Sequence, residues 1–343
     1  MNIVIISSAA IPTPPPTGRY GGLERVTWAL ANGLAQAGHH VALVAAAGSR
    51  TPSGGVLLPY QRAPEILDRY ATELAAADLV HDHGWELFGW AWAIKHPTQT
   101  VVQTWHGPSL GPTCRWRQPP ANVTLVGLSR WHAWRLSAEL RWPAVAVYNG
   151  IDVDAYPRRV APAPDGPLLS LNRLDPLKGE HYARWAATQA NRSLWLAGPV
   201  AGVPDPYYVE QVLRDCDGDQ LVYLGDCDES AKIAALHRAA CLLWLTPEYG
   251  EPFGLGVIEA LACGVPVVAW HDGALPELLT PDSGVLVESP WEIRSAINRA
   301  VTLDPARCRY QADQFSITRM VDTYDHLYRL VTRSTAAAAP PPP

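Results

Sequence analysis

Lysine stands at positions 95, 178 and 232 and nowhere else, so the cationic side chains are almost all arginine. A formal net charge of -6 leaves no basic excess of the kind a nucleic-acid surface requires, and nucleic acid is not expected as a partner. No apolar run reaches the roughly 18 to 20 residues of a bilayer span, so no transmembrane segment is expected. The opening MNIVIISSAA has no basic flank and reads as a first strand, not a secretory signal, which gives a cytoplasmic expectation. Cysteines fall at 114, 216, 227, 241, 263 and 308 with no C-x-x-C pair and no His/Cys cluster of zinc spacing. They read as reduced structural thiols. The G-x-G-x-x-G fingerprint is also missing, which disfavours dinucleotide binding.

What is present is an α/β pattern long enough, at 343 residues, for two domains with a core each. Residues 2–7 form a short apolar run suited to a buried parallel strand. A Pro-rich loop, Gly21-Gly22, a helical repeat through Val26, Leu30 and Leu34, and a strand from His40 follow, a right-handed βαβ unit. The paired glycines let main-chain N–H groups face a phosphate. Two further strands end in polar residues, His81-Asp82-His83 and Thr104-Trp105-His106, on the carboxyl edge where open α/β sheets bind ligands. On a strand, alternate side chains of H-D-H point to opposite faces, which favours ordinary hydrogen bonding over metal ligation. Strands at 123–129 and 144–148 complete the first sheet.

Strands at 168–171, 193–197, 221–225, 242–246, 266–270 and 284–287 make a second sheet, with amphipathic helices at 290–301 and 318–331 and a disordered tail from Ser334. Arg173 and Lys178 lie five residues apart in a Pro/Gly loop and can clamp a diphosphate, one through a planar fork and one as a point charge. The stretch Thr246 to Gly264, TPEYGEPFGLGVIEALACG, carries Glu251 and Glu259 eight positions apart across a loop-to-helix junction at about Gly256. Glu259 is expected in the first helical turn. Unsatisfied N–H groups in such a turn seat a phosphate, Gly254 and Gly256 admit close approach, and the carboxylates accept from vicinal hydroxyls. A phosphate flanked by hydroxyls describes a nucleotide sugar.

This segment resembles the E-x7-E signature of the retaining family 4 glycosyltransferases, supported by Pro247, Pro252-Phe253-Gly254 and Ala260-x-x-Cys263-Gly264-x-Pro266-Val267. The resemblance implies a GT-B fold: two Rossmann-like domains facing across a cleft, with a C-terminal helix crossing back to the first. Asn149-Gly150-Ile151-Asp152 matches the family's NGxD hinge, giving an acceptor domain at 1–152, a donor domain at 153–317, a crossover helix at 318–333 and a tail at 334–343. Asp152-Val153-Asp154 imitates a D-x-D metal motif but falls in the hinge, so no metal is expected. By resemblance, Glu251 and His106 hold hydroxyls of the donor sugar and Glu259 holds the ribose. Arg173 and Lys178 neutralise the leaving diphosphate. Gly21 and Gly22 meet the donor diphosphate or lie beside the acceptor, and Phe253, Gly254, Leu255 and Gly256 line the donor site. Gly225 lies where base contacts fall. Glu248 departs from the family, which has Ser there.

The implied reaction moves a sugar from a nucleoside diphosphate sugar, UDP favoured over GDP by family frequency, to an acceptor hydroxyl with retention. No cofactor beyond that co-substrate is expected. Retention in glycosidases uses two carboxyl groups about 5 Å apart. No second carboxylate opposite Glu251 is evident, so a front-face mechanism assisted by the leaving phosphate is favoured. Tryptophans 85, 90, 92, 105, 116, 131 and 134 cluster in the first domain and serve either the core or an acceptor platform. The whole chain also resembles glycosyltransferases of avilamycin-type antibiotic biosynthesis, which implies a natural-product or small glycan acceptor. Three competing readings are a nucleotide-sugar 2-epimerase on the same fold, a non-catalytic nucleotide-sugar-binding subunit and a Rossmann oxidoreductase.

Overall fold

The computed structural model describes the chain apart from residues 9–10, 17–20, 61, 63–64, 110–117, 201–204, 247–249 and 339–343 and the side chains of 335–338. Pro247, Glu248, Cys114 and Trp116 therefore lie outside the described residues. Two compact units emerge. The described residues up to Gly150 join the segment from Ile317 in the first, and Ile151–Ser316 make the second.

The first unit holds a parallel sheet of β1 (Asn2–Ile6), β2 (His40–Ala46), β3 (Val56–Tyr60), β4 (Leu79–Asp82), β5 (Val101–Thr104), β6 (Val123–Gly127) and β7 (Ala144–Ala146). The order β3-β2-β1-β4-β5-β6-β7 reverses direction between β1 and β4. Ile5, Leu43, Val80, Val102 and Leu125 are fully buried, which explains why these strands read as continuous apolar runs. β3 was not expected, because Pro59 interrupts it. It pairs with β2 alone at the sheet edge, where a missing donor is tolerated.

The helix Ile317–Ala338 belongs to this unit and packs on the helix Gly22–Gln36. At Gly33 a β-carbon would lie 2.5 Å from Val321 Cγ2, so the glycine sets that close approach. Buried hydroxyls anchor the helix. Tyr328 bonds His81 Nδ1 at 2.5 Å, while Tyr324 bonds Thr104 Oγ1, itself 2.7 Å from His81 Nε2. The helix continues to Ala338, so the segment expected to be a disordered tail from Ser334 is helical over its first residues; an alanine run has the best intrinsic helix propensity.

The second unit repeats the plan with β8 (Leu168–Leu171), β9 (Leu194–Ala197), β10 (Leu221–Tyr223), β11 (Cys241–Trp244), β12 (Val267–Trp270) and β13 (Gly284–Val287). Its order β10-β9-β8-β11-β12-β13 reverses between β8 and β11. Helices Glu180–Ala190 and Ile293–Ala300 and the helix Leu255–Ala262 cover the sheet. The chain enters and leaves this unit side by side, since the Ile151 N–H donates to the Phe315 carbonyl at 3.0 Å. Among the described residues no helix is long and apolar enough to cross a membrane, and all described cysteines are free thiols.

Candidate active site

Open parallel sheets bind ligands outside the carboxyl ends of their strands, at the point where the order reverses. In the second unit that point lies between the loop after β8 and the loop after β11, and the expected donor residues cluster there. Arg173 follows β8 and donates from Nη2 to Asp175 Oδ2 at 2.7 Å. Asp175 is 1% exposed and its other oxygen accepts from the Leu177 N–H at 3.0 Å. One buried carboxylate thus caps the turn that carries Lys178 and orients the guanidinium. The Arg173 Nε is buried without a partner among the described residues.

Lys178 Nζ lies 3.2 Å from Glu251 Oε2, both side chains 10% exposed, and 6.0 Å from the centre of the Trp244 ring. One cation of the first loop and a carboxylate of the other therefore meet, and Arg173 is tied to that same first loop through Asp175. Glu251 is fixed from behind by the loop after β12. Its carbonyl accepts from the Ala274 N–H at 2.9 Å, and a β-carbon on Gly273 would lie 2.5 Å from its nitrogen. Asp272 accepts from the Gly250 N–H at 3.0 Å.

Gly254, at φ 98°, begins the helix Leu255–Ala262 without a side-chain cap. The first turn then presents main-chain N–H groups that need a partner from outside the helix. Gly256 packs on Trp244, where a β-carbon would fall 2.8 Å from the indole. Phe253 is 2% exposed and meets Phe315 edge-on at 5.8 Å, so its side chain belongs to the core and only its main chain can face a ligand. Glu259 is not in the first turn. The helix starts at Leu255, which makes Glu259 its fifth residue, and the side chain pairs with Lys232 at 2.8 Å. Gly225, at φ 84°, has open space beside its α-carbon, and its carbonyl accepts from the Gly198 N–H at 2.9 Å.

Sequence reasoning passed over Asp175, Lys232 and Glu180. The last, at the start of the helix Glu180–Ala190, is 1% exposed and accepts from the Tyr208 hydroxyl at 3.2 Å. Burial pushes its carboxyl up to about 7.

In the first unit the reversal lies between β1 and β4. Gly22 opens the helix Gly22–Gln36, and Gly21 is its cap. A β-carbon on Gly21 would stand 2.7 Å from both Ile11 and Pro15 side chains and 3.0 Å from the Glu24 carboxylate, which is bonded to the Ser8 hydroxyl. Burial raises the Glu24 carboxyl above its ordinary range, against the opposing pull of Ser8. His106 lies just beyond β5, half-buried, with Nε2 bonded to His83 Nδ1 at 2.9 Å. Burial holds His81, His83 and His106 well below the usual histidine range, so all three are neutral near pH 7.

Asp82 faces away from both neighbouring histidines and accepts from the Gly84 and Gly89 N–H groups at 2.7 and 2.8 Å. Burial raises its carboxyl to about 7. No group of three metal-ligating side chains occurs among the described residues. Of the tryptophans, Trp90, Trp92 and Trp105 are core, whereas Trp85 is 45% and Trp134 67% exposed. Trp85 stands edge-on to Trp105 at 5.3 Å.

The profile for glycosyl transferases group 1 matches residues 158–314, and that for glycosyltransferase family 4 matches residues 20–155. The glycogen synthase of Mycobacterium tuberculosis H37Rv is 24% identical over 384 aligned residues, spanning 92% of this chain and 90% of that protein. A D-inositol 3-phosphate glycosyltransferase of Geodermatophilus obscurus is 31% identical over 222 residues, 57% of this chain and 49% of its own length. The crystal structure of AviGT4, a glycosyltransferase involved in avilamycin A biosynthesis, superposes with a TM-score of 0.76 at 26% identity, covering 98% and 99% of the two chains. Anabaena HepE in complex with UDP-glucose superposes with a TM-score of 0.73 at 15% identity over 96% and 99%, a likeness of fold.

Proposed function

Since the chain belongs to the GT-B glycosyltransferases of group 1 and family 4, we propose that it moves a sugar from a nucleoside diphosphate sugar, UDP-linked, to an acceptor hydroxyl with retention at the anomeric carbon. The observation that carries this reading is the pairing of Lys178 with Glu251 at 3.2 Å on the carboxyl edge where the second sheet reverses, with Arg173 tied to the loop of Lys178 through Asp175. Cleavage of the anomeric C–O bond builds negative charge on the departing phosphate. Arg173, Lys178 and the N–H groups of Gly254, Leu255 and Gly256 offset it without reorganising.

Glu251, held by its lysine and by the Gly273 loop, accepts from sugar hydroxyls, and Glu259 accepts from the ribose. His106 and the main chain at Gly21 and Gly22 remain, by the family resemblance, the first unit's own candidates for substrate contact. The acceptor hydroxyl attacks on the face from which the diphosphate leaves, and a phosphate oxygen takes its proton. A covalent intermediate has no assigned nucleophile. The UDP preference rests on family frequency, and AviGT4, involved in avilamycin A biosynthesis, supports a role in natural-product biosynthesis.

The test is a thermal-shift panel of UDP, GDP and their sugars, since a ligand bound only by the native state raises stability by RT ln(1 + [L]/Kd). UDP and one UDP-sugar are expected to stabilise the chain, and NMR of the product should show the donor's anomeric configuration. No stabilisation by any member of the panel rejects the reading. Release of UDP and an altered sugar without acceptor replaces it with the epimerase.

A further inference from the structure

Lys232 sits in no recognised motif, yet it contacts the second glutamate of the signature. From the helix Glu229–Arg238 its Nζ reaches Glu259 Oε2 at 2.8 Å and Glu229 Oε1 at 3.1 Å, and it donates to the Tyr156 hydroxyl at 3.2 Å. The Lys232 side chain is 10% exposed and that of Glu259 only 3%, whereas Glu229 is 45% exposed and forms the rim of the cluster. The Tyr156 ring lies 5.2 Å from the ammonium and holds it from another side.

A carboxylate so enclosed stays charged only with a cation and hydrogen bonds beside it. Charge matters here because an ionised carboxylate is acceptor-only and can take two hydroxyl donors, which the protonated acid cannot do equally well. Lys232 supplies the cation and pins one oxygen, so the plane of the Glu259 carboxylate is fixed before a ligand arrives.

We propose that Lys232 is a positioning residue of the donor site, holding Glu259 charged and oriented to receive the ribose hydroxyls of a nucleoside diphosphate without itself touching the ribose. The inference rests on the assignment of Glu259 to ribose made above.

Calorimetry of UDP and GDP against their 2′,3′-dideoxy forms tests it on the whole chain. The wild type is expected to prefer the ribose form of its nucleotide by about tenfold or more, the worth of a charge-assisted hydrogen bond. In Lys232→Met the preference should fall to within about twofold while the dideoxy nucleotide binds as before, and Lys232→Arg should retain most of it. Lys232→Gln gives the same reading should the methionine variant not fold. A preference kept in the Met or Gln variant overturns the proposal and leaves the ribose assignment standing. Equal loss of affinity for both forms makes Lys232 a support of the fold only, and also overturns it. Equal binding of both forms by the wild type removes Glu259 from the ribose and takes the inference with it.

Discussion

Gly198 lies so close to Asn172 that a β-carbon on it would fall 2.0 Å from the Asn172 carbonyl oxygen. Its φ of 147° is one that side-chain-bearing residues rarely adopt. The loop after β9 can therefore press directly on the backbone that leads into Arg173, and the Leu174 N–H donates to the Pro199 carbonyl at 3.1 Å from the same contact. The cationic loop is positioned by a main-chain clamp behind it.

Gly198→Ala is expected to cost at least about 2 kcal/mol, because contact and backbone strain act together. Urea unfolding measures it. Displacement of Arg173 should lower turnover as well, and an alanine variant with wild-type stability and kinetics contradicts the clamp.

Lys178→Ala should cut kcat on the order of 10²-fold, the loss of one transition-state stabiliser. Glu251 also loses the cation 3.2 Å from its carboxylate. Steady-state kinetics with the donor found in the thermal panel decides it, and unchanged turnover removes Lys178 from the chemistry.

Tyr328→Phe removes the hydroxyl 2.5 Å from His81 Nδ1 and leaves a fully buried ring nitrogen unpaired. The expected cost is about 1–3 kcal/mol. A shift in the denaturant midpoint at constant slope reads it directly.

His132 provides a pH test. Burial lowers its pKa from 6.5 to about 4, and the neutral ring accepts from the Leu128 N–H at 3.0 Å. A base whose folded pKa is depressed binds fewer protons when folded, so its contribution is present above pH 6.5 and is lost as pH falls toward 4. His81, His83 and His106 shift in the same direction, whereas Asp82 and Glu180, raised to about 7, oppose them. Between pH 7.5 and 5 the wild type should therefore lose about 2 kcal/mol more stability than His132→Gln. Parallel denaturant curves for the two proteins, showing no such gap at pH 5, refute the assignment.

The two sheets were legible because parallel strands buried on both faces leave short apolar runs that few other arrangements produce. β3 was hidden by Pro59, whose cost vanishes at a sheet edge. The placement of Arg173 and Lys178 on one loop and Glu251 on another followed from loops placed at strand ends, but the Lys178–Glu251 and Arg173–Asp175 bonds did not. Lys178 and Glu251 are separated by 73 residues, and Lys232 and Glu259 by 27, so neither pair has a spacing to betray it. Glu259 lies one residue deeper in its helix than expected because a glycine start without a side-chain cap gives no marker for the first helical residue. His83 and His106 met through the β4–β5 neighbourhood, which strand order alone reveals.

The hydroxyls that satisfy His81 and Thr104 come from Tyr328 and Tyr324, encoded more than two hundred residues after the strands they complete. A ribosome that has released the whole first sheet has thus not yet supplied the groups that close its buried polar centre. The earlier-made half must wait, incompletely sealed, until the second has been synthesised, and a chain truncated before Ile317 leaves the buried His81 Nδ1 without its hydroxyl and makes a ready target for quality control.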